Sequence, residues 1–396
     1  MARNTIDSNI VSFHYAREVD GSPGQLPTTP DWKPLAINSY SDFGQSIETV
    51  VRDPISGNRQ NQKGTIVDAD TTAGFEIDLT ATNLLEILQG FFFADAREKP
   101  TTNPLNGIEI PITNVDAGLG QYQAASGLTA FGPDSLIFAS GFQNAANNGL
   151  KKVTGVTATD LTVSQTLLDE TPSGDTKVIT VGHEFPTDDA ELSVVGNQLR
   201  LLSGGAVDFT TLNLNIGEFI WIGGDATVYR PDTSPSGFAR IAVIETDRLI
   251  FDQVTATFVT DALTGKSLHI FFGTYIRNEE QALIKRHTYS LERQLGEDAN
   301  GIQSEYVDGA LPNTFSIDAT QGSKLTASLE FLARGEERRD GSEGVKSGNR
   351  FSLKRESAYN TSTALNRVKL NELDPTTLEP TGSFAFVTDL SITINN

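Results

Sequence analysis

GFEIDLTATNLLEILQGFFF, residues 74–93, changes its periodicity halfway along, and that change decides the fold. Phe75, Ile77 and Leu79 alternate with Glu76 and Asp78, which predicts a strand with one apolar and one acidic face. Leu84, Leu85, Leu88, Phe91 and Phe92 then recur at helical spacing, so Asn83 to about Phe93 reads as an amphipathic helix. Thr80 or Thr82 can cap it, and Glu86 falls in its early turns. It is the clearest helix in the chain.

Strands surround this helix on both sides. Downstream, HTYSLERQL (287–295), NTFSIDAT (313–320), SKLTASLEFLA (323–333) and SFAFVTDLSITIN (383–395) carry the best strand patterns. Phe315 and Ile317 oppose Ser316 and Asp318, while Leu325, Ala327, Leu329 and Phe331 share a face. Between them GEERRDGSEGVKSGNR (335–350) reads as a charged, Gly-rich loop. Its run Glu336, Glu337, Arg338, Arg339 and Asp340 suits either a solvated face or a subunit contact. Upstream, RDPISGNRQNQKG (52–64) separates two strand-like pieces, 46–51 and 65–67. It is too long and too polar for a tight hairpin turn, and reads as an arm lifted off a sheet.

Prolines and glycines at 100–120 mark a linker, and an inserted β region with an internal repeat follows. SLIFASG (135–141) precedes GLKKVTGVTATDLTV from 149, and EFIWIGG (218–224) precedes GFARIAVIETDRLIF from 237. From the glycine onward Leu150 aligns with Phe238, Lys152 with Arg240, Val153 with Ile241, Val156 with Ile244 and Leu161 with Leu249. Two related all-β modules are expected. The fold class is therefore mainly β: a β-barrel or sandwich domain with one flanking helix, plus the inserted modules. The expected division is 1–125, 126–272 and 273–396.

Composition narrows the function. The 396 residues include 22 Phe and 35 Gly but only one Met, favouring strands and turns. No apolar run is long enough for a membrane span. The N-terminus lacks the apolar stretch of a signal peptide, so the protein is expected to stay where it is made. With no cysteine, disulfides, thiolate zinc sites and cysteine nucleophiles are excluded. The net charge of −21 argues against unaided binding to a nucleic-acid backbone. It suits a surface that nucleic acid passes without sticking. The middle, 101–275, is the most acidic part, with 19 acidic against 8 basic residues.

No chemistry stands out. The histidines at 14, 183, 269 and 287 have no metal-ligand spacing. P-loop, dinucleotide and nucleophile-elbow motifs are lacking. Asp68, Asp70 and Thr72 start like a calcium loop, but Ala73 and Leu79 stand where Gly and Glu belong. No catalytic residue, metal or cofactor is expected, and no one carboxylate pair is singled out for a glycosidase. By elimination the chain describes a surface for assembly.

Residues 38–98, from NSYSDFGQSIETVVRDP to ADARE, resemble the tail tube proteins of long-tailed bacteriophages with non-contractile tails. HTYSLERQL, YVDGALPNTFSIDAT and KLTASLEFLARG resemble the later strands of that family, and SGFQNAANNGLKKVTGVTATDLTV an insertion found in many members. The resemblance implies hexameric rings that stack into a tube, with inner strands closing one β-barrel and a helix packed outside. It implies DNA passing through the lumen unbound, and tape-measure, tail-terminator and distal tail proteins as partners. The location implied is the virion tail, after synthesis in the host cytoplasm, with no membrane contact. Related chains are expected to continue beyond SITINN (391–396).

Residue expectations follow from the resemblance. Arg52, Asp53, Arg59, Gln60, Gln62 and Lys63 would hold the arm on the neighbouring ring. Glu48, Asp68, Asp70, Glu76, Asp78 and Asp318 are candidates to line the lumen, although alternation alone does not say which face points there. The inserted modules would sit outside, where they do not obstruct the bore. The rival reading is a β-rich adhesin or carbohydrate-binding protein of a phage or cell surface, with the modules as its binding part.

Overall fold

A computed structural model describes residues 11–52, 62–80, 83–97, 99, 112–172, 176–298, 301–351, 353, 357–362, 371–373, 380–382 and 389–396. It divides into two compact units, Met1–Ala94 with Arg277–Asn396, and Asp95–Ile276. The first unit begins with β1 (Ser12–Arg17), β2 (Asp31–Pro34), β3 (Ile37–Arg52), β4 (Gln62–Asp78) and helix α1 (Leu85–Phe92). The second unit holds β5 (Ile112–Asp116), β6 (Gln121–Ala124), β7 (Ser135–Ser140), β8 (Gly149–Val156), β9 (Asp160–Val163) and β10 (Lys177–Phe185). It continues with β11 (Ala190–Val195), β12 (Gln198–Ser203), β13 (Phe219–Ile222), β14 (Gly237–Ile244), β15 (Arg248–Val254) and β16 (Leu268–Phe271). The chain then returns to the first unit with β17 (Tyr289–Asp298), β18 (Gly301–Thr320), β19 (Thr326–Ala333) and β20 (Gly335–Arg339). The last strands are β21 (Asn349–Arg350), β22 (Asn371–Leu373), β23 (Pro380–Gly382) and β24 (Asp389–Asn395).

In the first unit the 20-residue strand β18 belongs to two sheets. Its first half pairs with β17 on one side and β20 on the other, continuing through β1 and β2 to β21. Its second half pairs with β24 and β19, continuing to β4 and then β3. The handover lies between Gly309, at φ +68°, and Pro312, where the register with β19 shifts. A proline is tolerated at such an irregularity because no ladder hydrogen bond is needed there. Phe13, Tyr15, Phe75, Ile77, Leu291, Val307, Phe315, Leu329 and Phe331 from both sheets fill one core.

Helix α1 closes that core with Leu84, Ile87 and Phe91, so the change of period at residues 79–84 turns the chain from sheet to lid. Tyr289 Oη donates to the Glu86 carbonyl at 2.6 Å. Gly90 lets the helix approach: a Cβ there would lie 2.6 Å from Pro312 Cγ and 2.9 Å from the Tyr289 ring. The helix starts without a side-chain cap, contrary to the role expected for Thr80, because Asn83 takes the Thr80 N–H and donates to the Asp78 carbonyl instead. Thr82 lies outside the described residues.

The second unit is a duplication. β5 to β10 pair in the order β5-β6-β9-β8-β7-β10, and β11 to β16 in the order β11-β12-β15-β14-β13-β16. The last strands, β10 and β16, pair antiparallel and join the halves into one 12-stranded sheet. Each half has its own core, one around Tyr122, Ile137, Val153 and Leu161, the other around Leu201, Ile220, Ile241 and Leu249. Even a lone bridge is repeated: Val115 pairs with Glu170, Leu192 with Asp261. This unit takes in residues before the expected boundary at 125, because β5 pairs with β6 and β6 with β9 of the first module.

Candidate functional site

The sheet β24-β18-β19-β4-β3 has two unlike faces. One covers the core. The other is set by uninterrupted alternation along β4 from Asp68 to Asp78, and by the residues directly opposite. Asp318 is in register with Thr326 and Thr326 with Asp78; Ser316 aligns with Ser328 and Glu76; Glu330 aligns with Gly74; Asp70 faces Ser46, and Asp68 faces Glu48. All six candidate acids, Glu48, Asp68, Asp70, Glu76, Asp78 and Asp318, therefore share a face, although they come from three strands. Glu330 is a seventh that sequence reasoning missed; the alternation of Leu329 and Phe331 around it carried the signal. Over the stretch from Asp68 to Asp78 and the strand positions opposite it, this face holds Ser, Thr, Asn, Gly and Leu332 besides the acids, and Asp389 of β24, opposite Thr320, is an eighth acid.

Asp78 has partners that favour its charged form. Partial burial pushes the Asp78 carboxyl up, but the Asn38 amide and the Lys324 ammonium, 2.7 Å away, hold it below the usual carboxylate range. Glu48, Asp68, Asp70, Glu76 and Glu330 are exposed.

Strand β19 accompanies β4 only from Asp78 to Thr71. Beyond that point β3 and β4 pair with each other alone among the described residues, as a hairpin running out to Arg52 and Gln62. Ile47, Val51, Ile66 and Val67 on it are 52, 65, 59 and 57% exposed. Ile47 lies opposite Ala69 and Thr49 opposite Ile66, on the side that faces the core lower down. Val67 is the extra residue of a bulge. A lone two-stranded ribbon is marginal in water, and one with an apolar stripe asks for a partner. The projecting element thus begins near residue 45, well before the arm expected at 52–64. Of the expected arm residues, Arg52 and Gln62 pair through their backbones and Lys63 is exposed, while Asp53, Arg59 and Gln60 lie outside the described residues.

The mixed-charge run is not the loop it was expected to be. Gly335–Arg339 forms β20, because Ser304–Asp308 offers an open strand edge opposite β17. Glu336 accepts from the Gln45 N–H at 2.7 Å, holding the hairpin where it leaves the sheet. Burial opposes ionisation of Glu336, yet the Arg338 guanidinium and that N–H keep its carboxyl below the usual range. Glu337 pairs with Arg339 and with Lys346, which in turn bridges Asp308. Arg338 is largely exposed and Asp340 is exposed, so these two remain open to another chain.

Asp68, Asp70 and Thr72 lie on a straight strand rather than in a loop, and among the described residues no cluster of His and carboxylates could hold a metal. His14, His269 and His287 contact the carboxylates of Glu292, Glu184 and Asp20, respectively. No helix among the described residues is long and apolar enough to cross a membrane. A family model described as "Phage tail tube protein" matches residues 8–396. No curated protein matches the chain.

Proposed function

The chain belongs to the phage tail tube protein family, and from that premise we propose that it is the ring-forming subunit of a siphovirus-type tail tube. Family membership makes it a structural component of the virion tail. Six copies form a ring, rings stack into the tube, and the bore conducts DNA into the host without catalysis and without binding it. One observation supports this function above the others: eight carboxylates, with Lys324 paired to Asp78 at the margin, share one face of a sheet whose two outer strands, β3 and β24, have open edges among the described residues.

Closing the ring pairs each β3 edge with the neighbour's β24, which removes an aggregation hazard and makes the sheets a barrel. Such head-to-tail contacts close when the rotation permits. The apolar side of the distal hairpin then continues over a neighbouring subunit, and the polar tip at 52–64 reaches the next ring. Sixfold repetition of the acidic face repels DNA phosphates along the bore. The duplicated unit decorates the exterior, where its size does not obstruct passage. Tape-measure, terminator and distal tail proteins act at the tube's inside and ends.

Electron microscopy of the concentrated protein tests the class: hollow tubes of constant width are expected, and particles without rings under every assembly condition would reject it. Replacing the exposed pair Asp70 and Glu76 with Lys should leave tubes intact but slow DNA ejection, most at low salt. Ejection unchanged at any salt would remove the repulsive role. An adhesin does not account for a family match over almost the whole chain.

A further inference from the structure

The duplicated unit holds an internal comparison. Register equates Phe138 of β7 with Trp221 of β13, Leu150 of β8 with Phe238 of β14, Leu136 with Phe219, and Ile179 of β10 with Phe271 of β16. In both halves these side chains point away from the cores, since their strand neighbours Ile137, Ala139, Ile220, Ile222, Ala239 and Ile270 fill them. The first half thus carries one aromatic ring at four positions, and the second carries four. Phe219 and Phe238 are each 46% exposed, and Trp221 and Phe271 are partly exposed. In the first half Leu136, Leu150 and Ile179 hold the other three positions without rings, and Leu136 is buried where its counterpart Phe219 is exposed. The conversion to rings marks a surface used for something that rings do better.

The surroundings define what that is. Trp221 and Phe238 meet edge to face with centroids 4.9 Å apart. Phe271 lies opposite Trp221 on the other side and beside Gly182, where a Cβ would come within 3.1 Å of its ring. The indole N–H of Trp221 has no hydrogen-bond partner among the described residues. Two polar groups, Arg240 and His269, flank the rings on the same face. Arg240, opposite Phe219, forms a two-point pair with Asp252. His269, two residues from Phe271, is bonded to Glu184 at 2.8 Å and stacked on Tyr229, and Glu184 also holds Lys152.

We propose that this face of the second module is a binding site for a neutral oligosaccharide. Pyranose rings present an apolar C–H face to an aromatic surface, and their hydroxyls bond to planar polar side chains and a free indole N–H. Neutrality follows from charge: residues 101–275 carry 19 acidic and 8 basic residues, which repels polyanionic glycans and nucleic acid. Such a site would let a tube engage surface polysaccharide along its length, and it stands whether or not the tube reading does.

The chain's only other tryptophan, Trp32, is fully buried, so quenchable Trp emission reports on Trp221. The full-length protein is titrated with neutral hexasaccharides of glucose, N-acetylglucosamine, galactose and rhamnose, with heparin as a polyanion control. At least one neutral sugar should saturably protect Trp221 from acrylamide. By calorimetry, Trp221→Ala and Phe238→Ala should each weaken that binding about tenfold or more, while Phe138→Ala leaves it unchanged and all three variants still form the assemblies of the parent. No response to any of the four sugars, or full affinity in the Trp221→Ala variant, overturns the site. Loss of self-association in the ring variants would also overturn it and assign the face to a second copy of the chain.

Discussion

Ile47 and Ile66 sit on the distal hairpin, more than half exposed, on the side continuous with the core face of the sheet. Replacing both with Thr keeps the β-branched shape that favours strands, but puts a hydroxyl where the ethyl group would be buried on docking. Burying a whole Ile side chain is worth about 1.5–3 kcal/mol, and roughly half of each remains to be buried. Adding the cost of desolvating the new hydroxyl, each change should weaken docking by about 1–1.5 kcal/mol. Each subunit contributes one hairpin, so the pair removes about 2–3 kcal/mol per subunit. That raises the critical concentration for assembly by about 30- to 150-fold. In the free subunit the same residues touch mainly water, so unfolding free energy should move by no more than about 0.5 kcal/mol. Sedimentation velocity against concentration measures the first quantity, and urea unfolding of the unassembled protein the second. Unchanged assembly with lowered stability would refute the reasoning, because it would mean the hairpin packs within its own subunit.

His183 supplies a pH dependence. It is buried, neither ring nitrogen has a hydrogen-bond partner among the described residues, and burial lowers its pKa from 6.5 to about 4. The unfolded chain therefore takes up the proton first: stability is full above pH 6.5, falls as pH drops towards 4, and loses no more below. The total is about 3 kcal/mol, measurable as a difference in urea midpoints between pH 7 and pH 4 that His183→Leu should reduce; an equal loss in both proteins would exclude the histidine. Gly90→Ala should destabilise the first unit by about 1–3 kcal/mol through overpacking against Pro312 and Tyr289, despite a helix propensity gain of about 1 kcal/mol. A raised Tm would show that the helix can shift to admit the methyl.

Local pattern made much of this legible. Residues 74–78 and 313–333 alternate because one face of each strand covers a core, and the helix near 83–93 is amphipathic for the same reason. The repeat was visible from Gly149 and Gly237 onward, where β8 and β14 start. Its true extent was not, because β5–β6 and β11–β12 share a pairing order rather than side chains. The faces of individual acids could be read, but their union on one surface depends on register between strands distant in sequence. The projecting hairpin was hidden for a related reason. Residues 45–52 and 62–70 look like any strand pair; among the described residues they pair with no third strand, because β19 stops opposite Thr71. β20 was missed because five residues of Gly, Glu and Arg follow no apolar period, and only the open edge at Ser304–Asp308 recruits them.

The most direct measurement is a helical reconstruction of the assembled tube by electron cryomicroscopy, at a resolution that traces strands. Sixfold rings with Glu48, Asp68, Asp70, Glu76, Asp78, Asp318 and Glu330 lining the bore are the expected result. A bore lined by the opposite face of this sheet, or by the duplicated unit, would contradict the account.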